Sequence, residues 1–286
     1  MPSYSKPQIN TSSIHLNPMV FNARFQHITE KILKKIGMKT LKNHRQVSKA
    51  WQNFIDNQNI LWKNKTGTMA FKLACRNGHS KLAGLLIQNY KRFKINTNIK
   101  NPFGKTAFHL ACIYGQSKVV KMLVQKSTEI DFDLNDKDKD GMTAFHYACK
   151  EGDANIVEVI VQKSREFNID LHVKNQQSKT AFHLACIHGR SKIAEILVQK
   201  STEINFDLNA KDKDDVTAFH YACKNGHLNI IEMILQKSRE FNIDLNTKNQ
   251  YGETAFHFAC DNGQSEVAEM LIQKSREFNI DLNAKG

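Results

Sequence analysis

The sequence predicts an all-α-dominated solenoid of stacked repeats, each two helices and a short β-hairpin, preceded by a small three-helix module. Three observations predict it. The phrase Thr143-Ala144-Phe145-His146-Tyr147-Ala148-Cys149 recurs, barely altered, from Thr106, Thr180, Thr217 and Thr254, with a decayed copy running from Met69 to Cys75. All six cysteines (Cys75, Cys112, Cys149, Cys186, Cys223 and Cys260) fall 37 residues apart. Within each period a short apolar segment, a glycine and a longer amphipathic segment such as 118–125 follow one another. That is the pattern of two helices with a break between them.

Taken in order, residues 1–20 carry Pro2, Pro7 and Pro18 among Ser, Thr and Asn and have little to bury, so they are expected to form a disordered tail. Residues 21–65 differ. Ile28, Ile32, Leu33 and Ile36 share one helical face, and Gly37 follows as a helix stop. A second segment over 39–47 and a third over 48–56 follow, the third with Ser48 as a candidate N-cap and Val47, Trp51, Phe54 and Ile55 apolar. A three-helix unit of this size is marginal alone, which favours docking on the solenoid or on a partner.

The stretch Ile32-Leu33, Ile36, Leu41, Val47-Ser48-Lys49-Ala50-Trp51, Ile55-Asp56 and Leu61-Trp62 resembles the F-box over roughly residues 25–63. The family's usual Leu-Pro pair is replaced by His27-Ile28, and His44 stands where a leucine is usual. The resemblance implies a Skp-type adaptor and a cullin complex as partners, with Ile32, Leu33, Ile36, Val47, Trp51, Leu61 and Trp62 in the adaptor contact. The other reading of the same helices is a cap that seals the first repeat.

From residue 66 the array divides into six units: 66–102, 103–139, 140–176, 177–213, 214–250 and 251–286. A turn, a first helix with Thr-x-x-His-x-Ala, a glycine break and a second helix resemble the ankyrin repeat. Two departures recur. Phe108, Phe145, Phe182, Phe219 and Phe256 stand where leucine is usual, and the period is 37 rather than about 33. The extra residues fall after the second helix, which predicts helices longer by about a turn, with Asn168, Asn242 or Asn279 in the left-handed position that ends them. Residues 105–178 and 179–252 match at 54 of 74 positions, so a two-unit block is duplicated and the units alternate in type.

The formal net charge of +13 is uneven. Residues 1–102 hold 18 Lys/Arg against 2 Asp/Glu, whereas residues 103–286 hold 23 against 26. A basic N-terminal end suits an acidic partner. Nucleic acid is the weaker candidate, because no nucleic-acid motif accompanies the charge. No apolar run reaches 18 residues and the N-terminus lacks an h-region, so the expectation is a soluble protein of the cytoplasm or the nucleus, with no membrane contact.

The cysteine spacing argues for small buried packing residues. Equivalent positions in stacked repeats lie about 10 Å apart, beyond disulfide reach, and no CxxC pair is present. The row His109, His146, His183, His220 and His257 is spread along the stack and so cannot converge on one metal; the ankyrin resemblance implies that each His, with its Thr, bonds a neighbouring turn. No phosphate loop, HExxH or placed nucleophile is found, so neither catalysis nor a cofactor is expected. The resemblance also implies that target proteins bind along the hairpin tips and the open face of the first helices. Here these are Phe103, Lys105, Ile113, Tyr114, Met142, Lys150, Ile187, His188 and Tyr251, together with Lys224 and its neighbours.

Overall fold

The computed structural model describes residues 65–91 and 94–284. The expected tail over 1–20 and the F-box-like module, with its seven adaptor-contact residues, lie outside the described residues. Twelve helices follow in pairs: α1 (Lys65–Arg76) and α2 (Ser80–Gln88), α3 (Ala107–Ile113) and α4 (Ser117–Lys126), and α5 (Ala144–Glu151) and α6 (Ala154–Lys163). The last three pairs are α7 (Ala181–Ile187) and α8 (Ser191–Ile204), α9 (Ala218–Lys224) and α10 (Leu228–Lys237), and α11 (Ala255–Asp261) and α12 (Ser265–Phe278).

The inner helices α3, α5, α7, α9 and α11 are too short to persist alone. Each is held at its start by a reciprocal cap in which the Thr before the helix and the His three residues later bond to each other's backbone. Packing does the rest. In α5, Ala144, Phe145, His146, Tyr147, Ala148 and Cys149 are all buried. Gly152 then takes a left-handed φ of 88° and turns the chain into α6.

The outer helices bury one stripe, Val119, Val120, Leu123 and Val124 in α4 and Ile156, Val157, Ile160 and Val161 in α6. Each such side chain contributes about 1.5–3 kcal/mol relative to exposure. The lengthening expected after the second helix is present: α8 and α12 run for 14 residues, and Asn168, Asn205, Asn242 and Asn279 all have φ between 50° and 54°. In α4, α6 and α10 the helix proper is 10 residues and the added residues form hydrogen-bonded turns, as in Phe167 N–H to Lys163 O at 3.0 Å.

The expected β-hairpins need correction, because no residue among those described is in a strand. Each tip is a turn closed by single bonds, such as Asp138 N–H to Met142 O at 2.9 Å, and joined to the next tip by one more, such as Gln176 N–H to Asp140 O at 3.0 Å. The tip N–H groups go to a side chain instead, as those of Asp140 and Met142 both donate to Asp138 Oδ1. The stack is held instead by side chains that bridge units. Asn135 donates to Asn168 O at 2.8 Å and accepts from Asp170 N–H at 2.8 Å, and Asn98, Asn209 and Asn246 make the same pair of bonds. His172 stands in that row without the amide and packs near Phe206 instead.

Candidate protein-interaction site

The tips and the open ends of the inner helices form a continuous strip across the units. Its rigidity starts with the histidines. The Thr143 N–H donates to His146 Nδ1 at 3.2 Å, which leaves the proton on Nε2, 3.2 Å from Lys179 O of the next tip. His109, His183 and His220 reach Met142 O, Val216 O and Glu253 O in the same way. Burial pushes the His146 and His183 pKa values down to about 4, so both rings are neutral. These histidines fix each inner helix to the next tip.

A second network appears at alternate junctions. Asp138, with its side chain fully buried, accepts from Lys105 Nζ at 2.8 Å and Tyr147 Oη at 2.7 Å, and from the N–H groups of Asp140 and Met142. Burial alone would raise its pKa; the lysine, the phenol and the amides outweigh burial and hold it below the usual carboxylate value. Asp212, Lys179 and Tyr221 repeat the arrangement one block later, with the ion pair at 3.0 Å and the phenol at 2.7 Å. At the other junction Met142 takes the place of the lysine, and Asn175 Nδ2 lies 3.4 Å from its sulfur. The duplicated 74-residue block is therefore a packing unit whose two interfaces differ.

These contacts sort the expected interaction residues. Phe103 and Tyr251 stand 67% and 68% exposed at their tips, Tyr114 is 45% exposed with the Arg76 guanidinium 4.6 Å from its ring centroid, and His188 is exposed. Ile113, Lys150 and Ile187 are half-buried at the ends of their helices. Lys105 is engaged by Asp138 and presents little free charge. Met142 is a correction: at 6% exposed it is buried instead of solvent-facing, because its backbone carbonyl lies 2.9 Å from His109 Nε2 of the preceding inner helix and its sulfur 3.4 Å from Asn175 Nδ2 of the next tip.

The expectation of buried cysteines holds for five of the six. Cys75, Cys112, Cys149, Cys186 and Cys223 are buried, while Cys260 in α11 is exposed. Among the described residues, no group of three His, Cys, Asp or Glu is placed to hold a metal ion, and no helix is long and apolar enough to cross a membrane.

A sequence model of the family described as Ankyrin repeats (3 copies) matches residues 41–136, 130–207 and 204–285. The chain belongs to the ankyrin-repeat family. Among solved structures the ankyrin repeat domain of Bcl-3, described as a unique member of the IkappaB protein family, is similar, with a TM-score of 0.63. Sequence identity is 22%, over 76% of this chain and 89% of that one, which speaks to the fold alone. No curated protein matches the sequence. Ankyrin repeats are interaction modules that bind proteins, and no catalytic family is indicated.

Proposed function

We propose that this ankyrin array is a non-catalytic recognition scaffold that holds a target protein along the strip of tips and inner-helix ends. The observation that carries the reading is the contrast between Phe103, Tyr114 and Tyr251, large and solvent-facing, and a framework in which the His and Asp anchors beneath them are buried. Exposed aromatics on a fixed frame lose little entropy on binding and supply the largest interface contributions. Ile113, Lys150, Ile187 and His188 complete the surface.

The finer proposal makes the chain a substrate-recognition subunit of a Skp–cullin–F-box type ubiquitin ligase. It rests on the F-box-like pattern from Ile32 to Trp62. In that assembly the chain contributes proximity and orientation, and its partners do the chemistry. The alternative is a scaffold whose N-terminal helices only cap the stack. The start of the family match at residue 41, inside the F-box-like stretch, favours it.

The two separate in one pull-down of a Skp-type adaptor with the full chain and with Leu61→Ala/Trp62→Ala. Binding that the double substitution abolishes supports the ligase subunit. No binding at low or physiological salt leaves the capped scaffold.

A further inference from the structure

The residue that follows the cysteine in each inner helix forms a row across the stack. In four successive units that row reads Ile113, Lys150, Ile187 and Lys224, apolar and cationic in alternation, and all four are part-exposed. The alternation follows the two-unit block. The two ammonium groups are available: Lys105 and Lys179 are held by Asp138 and Asp212, whereas Lys150 and Lys224 make no ion pair among the described residues. Lys224 only approaches the Phe258 ring, at 5.9 Å. The row changes at both ends, where Arg76 lies over Tyr114 and Asp261 is acidic.

Neighbouring inner helices pack about 8–10 Å apart, so each residue type recurs roughly every 20 Å. A helix laid along the row climbs about 10 Å in seven residues, and seven residues return a side chain to nearly the same face. A β-strand covers that distance in about three residues, which turns the side chain to the opposite face. We infer that the strip accepts a helix of a partner protein that presents apolar and acidic side chains alternately at heptad positions. The apolar ones meet Ile113 and Ile187, and the carboxylates meet Lys150 and Lys224. This rests on the strip being the target-binding face, and it adds the shape and chemistry of the target.

The test is fluorescence anisotropy with the full chain and a labelled helical peptide carrying Leu, Glu, Leu and Glu seven residues apart in an Ala/Gln background. Saturable binding is expected, weakened about tenfold or more by Lys150→Glu/Lys224→Glu and recovered by a peptide with Lys in place of both Glu. A peptide of the same composition with the four residues spread around the helix should bind about tenfold more weakly. No binding at millimolar peptide, equal binding of the spread peptide, or no effect of charge reversal overturns the inference. Tighter binding of a polyproline II peptide with the same residues at every third position also overturns it. Binding that Ile113→Ala/Ile187→Ala abolishes and charge reversal leaves unchanged rejects the helical register while sparing the target-binding face.

Discussion

Lys105 Nζ lies 2.8 Å from Asp138 Oδ2, linking two successive tips, and the Tyr147 hydroxyl shares the same carboxylate oxygen at 2.7 Å. Removing the carboxylate leaves a lysine, a phenol and two backbone N–H groups without their acceptor. Asp138→Ala should therefore destabilise the protein by about 2–4 kcal/mol. Asp140→Ala, on the exposed side of the same tip, should stay within about 0.5 kcal/mol. Urea unfolding of the two variants checks the contrast.

The histidines set a second dependence. His146 and His183 are held near pKa 4 by burial, against 6.5 when unfolded, and His109 and His220 shift the same way. The unfolded chain therefore binds protons that the folded chain refuses. Stability is full above about 6.5, falls with decreasing pH from there to about 4, and then levels for these groups. Asp138 and Asp212, with folded pKa values below 3.8, add a loss only at lower pH. Tm measured across this range should show the fall, and His146→Gln/His183→Gln should flatten it while lowering Tm at neutral pH.

Thiol accessibility gives a third outcome. Five cysteines are buried, with their pKa values pushed up by desolvation, and Cys260 is exposed. A thiol reagent added to the native protein should titrate one cysteine quickly and the other five only with unfolding. Cys260→Ser should remove the fast phase.

Two glycines of similar φ should respond differently to alanine. Gly141 has φ +74°, and an added Cβ would meet Gln176 N at 2.8 Å, backbone that cannot move without breaking the tip-to-tip bond. Gly263 has φ +67° and open space around it. Gly263→Ala should cost about 1–2 kcal/mol from the left-handed backbone alone, and Gly141→Ala distinctly more. Thermal denaturation of both distinguishes them.

Much of the fold was legible because the repeat states the same rule several times over. The Thr-to-His cap, the glycine after α5 and the left-handed Asn168 and Asn279 each follow from residue type and spacing. What periodicity could not give was which side chain at a tip turns inward. Met142 occupies the same register as Lys105, yet its carbonyl bonds His109 of the preceding inner helix and its sulfur meets Asn175 of the next tip. The Lys105–Asp138–Tyr147 network does not follow from the single repeat either. Its signal was present: Lys179, Asp212 and Tyr221 repeat it 74 residues on, while the alternate junctions carry Met142 with Asn175 and Leu184. The β-hairpins are absent for a local reason, since Asn and Asp side chains take the backbone N–H groups at the tips, as Asn101 takes those of Phe103 and Lys105 and Asp138 those of Asp140 and Met142.

The central claim is that the strip of tips and inner-helix ends is where a protein partner binds. The most direct measurement compares partner capture by the full chain with capture by Phe103→Ala/Tyr114→Ala/Tyr251→Ala, with Ile272→Ala on the outer helix α12 as the control. The strip variant should lose its partner while keeping its Tm within a few degrees, and the control should keep both. A strip variant that retains the partner at full affinity, or a control that loses it, would contradict the account.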